Sequence, residues 1–379
     1  PIRNYKDPIE TRQYGIIISR EINIKEIDQF VTPEDKFMIR NHFKYPSNVN
    51  ENEWQLKLEG CFEKEVVFSM DDIKSFEHVT KVIHIECTGN SHSSHKDMKE
   101  HITFEKLLRL ADPTQWKSIM TFMKGGNRHG MLSNAVYTGV RMFDIFDKYP
   151  FTWETKEIVF RGKDKGYDNL SHRLKRQTHH YERSFKVEEL RKYDPLLCFE
   201  MNGKPLLPDH GYPLRLVLPG VYGAEHVKWL EKIIAVPTKF KGYFMENYYA
   251  NVVEYEKDGK MIKEMKPVHN MGPKSIVIKV LKKGTVINIF GIAWRGMSPI
   301  TDVQVSIDKG KSWKKTELLC EEIDNSWIFW RYTLTSIPTS SITIMPRASC
   351  LNGESQPLKH PEHLFYGNNS VIPAIIVVK

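Results

Sequence analysis

Residues 82–95 read VIHIECTGNSHSSH, and this stretch is the best starting point for interpreting the chain. Its first half is a short, β-branched apolar run that predicts a buried strand, and Thr-Gly-Asn at 88–90 is a turn signal. Cys87 stands between them, at the exit of the strand. No second cysteine lies within four positions, so the run contains no CxxC redox pair. Cys87 is therefore either a small buried apolar residue or a single metal ligand.

Three further runs accompany this one in a characteristic order. They are RNHFKYP at 40–46, PDHGYPLRLVLPG at 208–220 and GAEHVKWL at 223–230. Together with ECTGN at 86–90, their order and intervals resemble those of the sulfite oxidase family of molybdopterin-dependent oxidoreductases, which includes bacterial sulfite and sulfane dehydrogenases. The resemblance extends over most of the chain from about Thr32 onward.

The pattern of apolar residues changes near residue 266. Before this point, strand-like runs such as WQLKLEG at 54–60 alternate with helix-like runs such as SFKVEELRKY at 184–193, whereas short strands and hairpin turns follow it. A chain of 379 residues is also too long for one ordinary core. We therefore predict an α+β protein. The resemblance implies a mixed α/β molybdopterin-binding catalytic domain of sulfite oxidase type over residues 1–265, followed by an immunoglobulin-like β-sandwich for dimerisation over residues 266–379.

Composition narrows the classes of function. The chain has 55 basic and 47 acidic residues, a formal net charge of +8, but these charges are interspersed and no nucleic-acid-binding motif accompanies them. Nucleic acid is therefore not the predicted partner, and an oxyanion, a phosphorylated cofactor or an acidic redox protein accounts for the charge. No segment approaches the ~20 apolar residues of a membrane span. The five cysteines are too irregularly spaced to form a disulfide framework.

The resemblance implies a molybdenum–molybdopterin cofactor, with Cys87 as the metal ligand. A thiolate is a suitable soft, anionic donor, and the dithiolene of the pterin would supply the remaining sulfur ligands. The family's other cofactor-binding positions correspond here to Asn41, His42, Asp164, His210, Arg215 and Lys228. Arg215 is also notable on its own, because a charge among leucines and valines on a strand is costly to bury unless an anion meets it.

The substrate pocket matches the family only in part. Arg40 corresponds to an arginine that attracts the sulfur oxyanion, and Tyr249 to the catalytic tyrosine, although Tyr248 is an adjacent alternative. The family's second arginine, five residues after the cysteine, is replaced by His92. An arginine is always charged, whereas a histidine carries a positive charge only when the pH is below its pKa of about 6.5. Substrate binding should therefore become weaker or pH-dependent.

The predicted reaction is a two-electron oxygen-atom transfer that oxidises a small sulfur oxyanion, foremost sulfite to sulfate. No CxxCH haem-attachment run occurs in this chain, so the predicted electron acceptor is a separate c-type cytochrome or haem subunit. The expected assembly is a homodimer or a hetero-oligomer with that subunit. By family resemblance the predicted location is the bacterial periplasm, and a chain that begins at Pro1 without a leader is compatible with a removed targeting peptide.

Three alternatives remain open from the sequence. Within the family, the substrate could be sulfane sulfur, or the enzyme could reduce S-oxides or N-oxides. Cys87, His92 and His95 have a spacing that would allow a zinc site, with a further ligand from the pair His179-His180. From another class of function, the chain could be a dimeric scaffold that has lost catalysis.

Overall fold

The structure is a computed structural model that describes residues 18–91, 129–167, 178–321, 323–335, 341–361, 364 and 366–376. Within these residues the strands are β1 Ile18–Arg20, β2 Ile39–Asn41, β3 Leu56–Gly60, β4 Val66–Phe68, β5 His78–Glu86, β6 Leu132–Arg141, β7 Glu157–Gly166, β8 His179–Lys186, β9 Leu196–Met201, β10 Lys204–Pro205, β11 Arg215–Val217, β12 Leu230–Val236, β13 Ala250–Lys257, β14 Lys260–Pro267, β15 Lys274–Lys283, β16 Val286–Trp294, β17 Ile300–Ser306, β18 Lys314–Lys315, β19 Glu317–Leu318, β20 Ile328–Leu334, β21 Ile342–Cys350 and β22 Ala374–Ile376. The α-helices are α1 Met70–Lys74, α2 Met142–Lys148, α3 Val187–Tyr193 and α4 Tyr243–Glu246.

Two five-stranded sheets form most of the first part of the chain. One has the order β10-β9-β6-β5, with β11 also paired to β9, and its pairs are antiparallel. The other has the order β4-β3-β12-β7-β8 and contains a parallel pair between β3 and β12. In β3, Leu56 and Leu58 are fully buried whereas the residues between and after them are partly exposed, which is the alternation expected of a half-buried strand.

The helices are short and lie between the strands. Helix α1 begins after Ser69, whose hydroxyl accepts a hydrogen bond from the backbone of Asp72 while the Asp72 carboxylate accepts one in return from the backbone of Ser69. This capping box fixes the start of the helix. Helix α1 ends at Lys74, and β5 begins at His78.

The last part of the chain is a β-sandwich. Two four-stranded sheets, β15-β16-β20-β19 and β18-β17-β21-β22, enclose an apolar core to which Val303, Val305 and Trp330 belong. Trp294 is fully buried, whereas Trp313 is only half-buried. The predicted α+β class with a terminal sandwich is confirmed. The immunoglobulin-like assignment and the domain boundary at 265/266 stay predictions.

An apolar cluster joins the sandwich to the preceding sheets. Leu132 and Tyr222 from the first part pack with Ile276, Trp294 and Trp327 from the sandwich. Among the helices that the structure describes, none combines the length and the apolar character needed to cross a bilayer.

Candidate active site

A single pocket brings together nearly all of the predicted site residues. Cys87 forms part of its lining, and its empty volume of about 660 Å³ includes space that is open to solvent. The predicted residues that line it are Arg40, Asn41, His42, Cys87, Asp164, His210, Arg215, Lys228 and Tyr249. They come from segments that are up to 209 positions apart in the sequence, from Arg40 to Tyr249. His92 lies outside the described residues, so its predicted role stays a prediction.

Cys87 is held at the end of a buried strand, as its sequence context predicts. Strand β5 becomes fully buried over its last four residues and ends at Glu86. The Cys87 amide donates to the Met131 carbonyl at 2.8 Å, and the Cys87 carbonyl accepts from the Asn90 amide at 2.8 Å, which closes the turn. Burial raises the pKa of the Cys87 thiol, while the positive charge of Arg40 and a hydrogen bond from the Gly89 backbone act in the opposite direction.

One wall of the pocket is formed by strand β2 and the residue that precedes β13. The imidazole of His42 is hydrogen-bonded to the hydroxyl of Tyr249. Burial, followed by the charges of Arg40 and Arg183, lowers the pKa of His42 to about 3, so this imidazole is neutral at physiological pH. Tyr249 has a φ of 54°, a left-handed conformation that is uncommon for an aromatic residue. Such backbone strain is concentrated at functional sites.

A second part of the lining carries two cationic side chains, the buried Arg215 and the partly buried Lys228. Arg215 lies on β11, is 3% exposed and donates from Nη1 to the His210 carbonyl at 3.0 Å. The Nζ atom of Lys228 donates to Asn41 Oδ1 at 2.7 Å and to the Asp209 carbonyl at 2.6 Å. Burial, together with the charge of Arg215, lowers the pKa of Lys228 to about 7. Together with Arg40, these two residues make three basic side chains in the pocket lining. The neighbouring imidazoles are neutral.

Asp164 reaches the pocket from an irregular part of β7. The register between β7 and β8 shifts between Arg161 and Lys165. The backbone around the buried Asp164 therefore departs from regular strand pairing. The close approach requires Gly162, because a Cβ atom there would lie 2.5 Å from Asp164 Oδ1. Burial raises the pKa of Asp164 to about 7, against the opposing charge of Lys228.

Four polar atoms in the pocket lack a hydrogen-bond partner among the described residues. They are Asn41 Nδ2, Asp164 Oδ1, His210 Nδ1 and Arg215 Nε. A buried polar group without a partner costs on the order of 1–3 kcal/mol, so native proteins seldom leave several at one place. Donors and acceptors of this kind, beside two cations and one thiol, fit a large, hydrogen-bonding anionic cofactor that carries a thiolate-binding metal.

Several supporting residues are absent from the sequence-based prediction. Tyr181 and His226 also line the pocket, and the rings of Tyr181 and His42 are stacked with their centroids 5.7 Å apart. Behind them, the buried Arg183 donates to both carboxylate oxygens of Glu225. Glu225 and His226 belong to the run GAEHVKWL, so this motif could have pointed to them from the sequence.

The histidines of the zinc alternative are only partly described. His95, like His92, lies outside the described residues. His179 stacks on Tyr243, with ring centroids 3.9 Å apart, and His180 Nδ1 lies 3.0 Å from the Gly162 carbonyl. Within the part of the chain that the structure describes, no group of three or more His, Cys, Asp or Glu side chains is arranged to hold a metal ion.

Comparisons with known proteins agree with this geometry. The protein family described as "oxidoreductase molybdopterin binding domain" matches residues 42–244. The mitochondrial sulfite oxidase of Drosophila melanogaster is 27% identical over 322 residues, which are 80% of this chain and 50% of that protein. The NADPH nitrate reductase of Aspergillus niger is 27% identical over 75% of this chain and 32% of its own length. The chain thus spans half or less of these curated relatives.

A solved structure also shares the architecture. The sulfane dehydrogenase SoxCD from Paracoccus pantotrophus has a TM-score of 0.75 to this chain, at 22% sequence identity, and the match covers 98% of this chain and 87% of that one. At this level of identity the likeness establishes the fold.

Proposed function

Because this chain belongs to the sulfite oxidase family of molybdopterin-binding oxidoreductases, we propose that it oxidises a small sulfur oxyanion, foremost sulfite to sulfate. Sulfite and water yield sulfate, two protons and two electrons in this reaction. The observation that carries the proposal is the pocket itself, where a buried thiol, three cations and several unsatisfied polar atoms converge. The cofactor of the family is molybdenum–molybdopterin.

The residues present fit this cofactor. When bound, it supplies oxygen-atom exchange and storage of two electrons. The sulfur of Cys87 would hold the metal, because a thiolate is a suitable soft ligand. Arg215 and Lys228 would hold the anionic end of the pterin, and the unsatisfied atoms of Asn41 and His210 would gain partners there.

The substrate would bind on the side of the pocket formed by Arg40 and Tyr249. Arginine remains protonated at any physiological pH, whereas the neighbouring His42 is neutral, so Arg40 would attract the oxyanion. Burial raises the pKa of Tyr249, which keeps its hydroxyl protonated and able to donate a hydrogen bond to a substrate oxygen. His42, which contacts this hydroxyl, would orient it.

Metal analysis combined with a steady-state assay tests the proposal. Purified wild-type chain should contain molybdenum close to one per chain and should oxidise sulfite with an artificial electron acceptor. Cys87→Ser should lose both the bound molybdenum and the sulfite-oxidising activity, while its circular dichroism spectrum should stay unchanged. Cys350→Ser is the matched control, because Cys350 is equally buried but lies in the sandwich core. Stoichiometric zinc without molybdenum, or full activity of Cys87→Ser, would refute the proposal.

Reduction of an oxygenated substrate is the second candidate, since the A. niger relative is a nitrate reductase. The replacement of the family's second arginine by His92 also removes a permanent charge from the predicted sulfite pocket. The same holoenzyme assayed with nitrate or an S-oxide and a reduced viologen distinguishes the candidates. A kcat/KM higher for either than for sulfite would favour reduction. Higher turnover with sulfane sulfur would instead favour a sulfane dehydrogenase.

We further propose that electrons pass to a separate c-type cytochrome or haem subunit in the bacterial periplasm, and that the sandwich mediates dimerisation. The net charge of +8 favours an acidic docking surface on the acceptor. The rate of cytochrome reduction should then fall as ionic strength rises, because salt screens such attraction. A salt-independent rate would contradict the electrostatic part of this proposal, and fractionation of native cells tests the location.

A further inference from the structure

The residue before Cys87 makes an unusually complete set of buried contacts. Glu86 is 1% exposed. Its Oε1 atom accepts from Lys274 Nζ at 2.6 Å and from Asn90 Nδ2 at 2.9 Å, and its Oε2 atom accepts from Trp294 Nε1 at 2.8 Å. Both carboxylate oxygens are thus satisfied, by donors from two different parts of the molecule.

Two of these donors belong to the sandwich. Lys274 is the first residue of β15 and Trp294 the last of β16, and they are directly opposite each other in the antiparallel pair. Neither side chain is exposed to solvent. The ammonium and the indole therefore lie side by side at the end of one hairpin, where both can reach a single carboxylate.

Residues that follow position 266 also contact the loop of residues 87–91, which contains Cys87. Lys274 Nζ donates a second hydrogen bond to the Asn368 carbonyl at 2.7 Å. The side chain of Asn368 donates to the Ser91 carbonyl at 3.2 Å, and the amide of Gly367 donates to the Thr88 carbonyl at 3.0 Å. The loop that contains Cys87 is consequently fixed at its start, middle and end by residues beyond 266.

From these contacts we propose that Lys274 is a positioning residue, through which the sandwich fixes the place and orientation of the Cys87 sulfur. A buried ion pair contributes little net stability, because desolvation offsets its attraction, but it specifies one arrangement when every hydrogen bond is made. In the Glu86–Lys274 pair, both carboxylate oxygens accept hydrogen bonds and Lys274 Nζ donates two. The effect on Cys87 as a metal ligand rests on the proposed function, whereas the fixing of its loop by Lys274 does not.

Substitution of Lys274 should loosen the loop around Cys87 more than the rest of the fold. In Lys274→Met, site-resolved alkylation of the full-length chain should label Cys87 at least about ten times faster than in wild type, since an opening that becomes 1.4 kcal/mol easier is ten times more frequent. Cys198 and Cys350, which are also buried, should keep their slow rates. In the holoenzyme, the thiolate-to-metal charge-transfer absorption should shift or weaken.

Ser326→Ala is the matched control. The hydroxyl of Ser326 accepts a hydrogen bond from Asn134 Nδ2 at 2.7 Å, also between the sandwich and the first sheets, but this contact does not involve Glu86. This variant should lower the melting temperature without changing the labelling of Cys87 or the absorption band.

A second variant covers the case in which a lone buried carboxylate prevents folding. Glu86→Gln combined with Lys274→Met removes both charges and the tether together, so the same labelling criterion applies. Unchanged Cys87 labelling, an equal rise in Ser326→Ala, or a parallel rise at Cys198 would overturn the proposal. Absence of molybdenum from the wild-type chain would refute the proposed function, while the labelling result would still decide whether Lys274 tethers the loop.

Discussion

Arg40 is the pocket cation best placed to select an anionic substrate, because His42 beside it is neutral. Arg40→Gln should raise the KM for sulfite by about ten- to a hundredfold, since hydrogen bonds to charged groups contribute on the order of 1.5–3 kcal/mol. The kcat should change less, because the charge acts on binding before reaction. Arg40→Lys should give an intermediate KM, as an ammonium lacks the planar fork of the guanidinium. Steady-state kinetics measure both, and an unchanged KM in Arg40→Gln would place the oxyanion elsewhere.

Tyr249 differs from its neighbour Tyr248 in a way that mutation can reveal. Tyr249→Phe removes the hydroxyl that contacts His42 but leaves the ring, whose centroid is 5.4 Å from that of Tyr366. We expect kcat to fall by about a hundredfold, within the range for loss of a positioned catalytic group, and the melting temperature to change little. Tyr248→Phe is the control, since Tyr248 does not line the pocket. Equal losses in the two variants would argue against a specific role for Tyr249.

At the scale of elements, we expect Lys228, between β11 and β12, and Asp164, on β7, to set the pH dependence of cofactor retention. Burial raises the pKa of Asp164 and lowers that of Lys228, in each case to about 7, so this pair loses positive charge as the pH rises through neutrality. An anionic cofactor is then held less tightly. The rate at which molybdenum is lost from the holoenzyme should increase between pH 6 and pH 9.

Lys228→Met should release the cofactor faster at every pH and should show a smaller change with pH. Lys232→Met is the control, because Lys232 lies on the neighbouring β12 and pairs with Glu59 outside the pocket. Metal analysis after gel filtration at each pH gives the retained fraction. Retention that is independent of pH in the wild-type chain would contradict the assigned position of the anionic group.

Much of the fold is local enough to be predicted from sequence. The run TVINIFGIAW at 285–294 becomes β16, and SFKVEELRKY at 184–193 contains α3, because apolar periodicity and burial agree in both. The pairing of strands is different. Strands β3 and β12 are parallel neighbours although more than 150 residues separate them, and no local pattern specifies that contact.

The same distinction applies to the candidate site. Cys87, Arg215 and Lys228 can be found from short motifs, since each motif has a distinctive combination of residues. Tyr181 cannot, because an isolated tyrosine on β8 acquires its place only when β8 packs beside His42. The partnership of Glu86 with Lys274 spans 188 positions and is visible only in the folded chain.

Considered as a whole, the molecule buries an unusual set of neutral histidines. His42, His84, His210 and His226 all have pKa values lowered to about 3, in each case chiefly by burial. In the unfolded chain they would titrate near 6.5. Between pH 6.5 and pH 3 the unfolded state therefore binds more protons than the folded state, and the free energy of unfolding falls as the pH falls.

The cofactor-free chain should accordingly be acid-labile. Each buried histidine contributes a loss of about 1 kcal/mol per pH unit once the pH is below 6.5, and Asp164, whose pKa is raised, opposes this with a single group. Urea titrations at pH 7, 6 and 5 should show a steadily decreasing free energy of unfolding. His84→Leu should flatten this slope, because both nitrogens of His84 lack partners among the described residues. His78→Leu, at an exposed position, should leave the slope unchanged, and an equal effect of the two substitutions would mean that burial is not its cause.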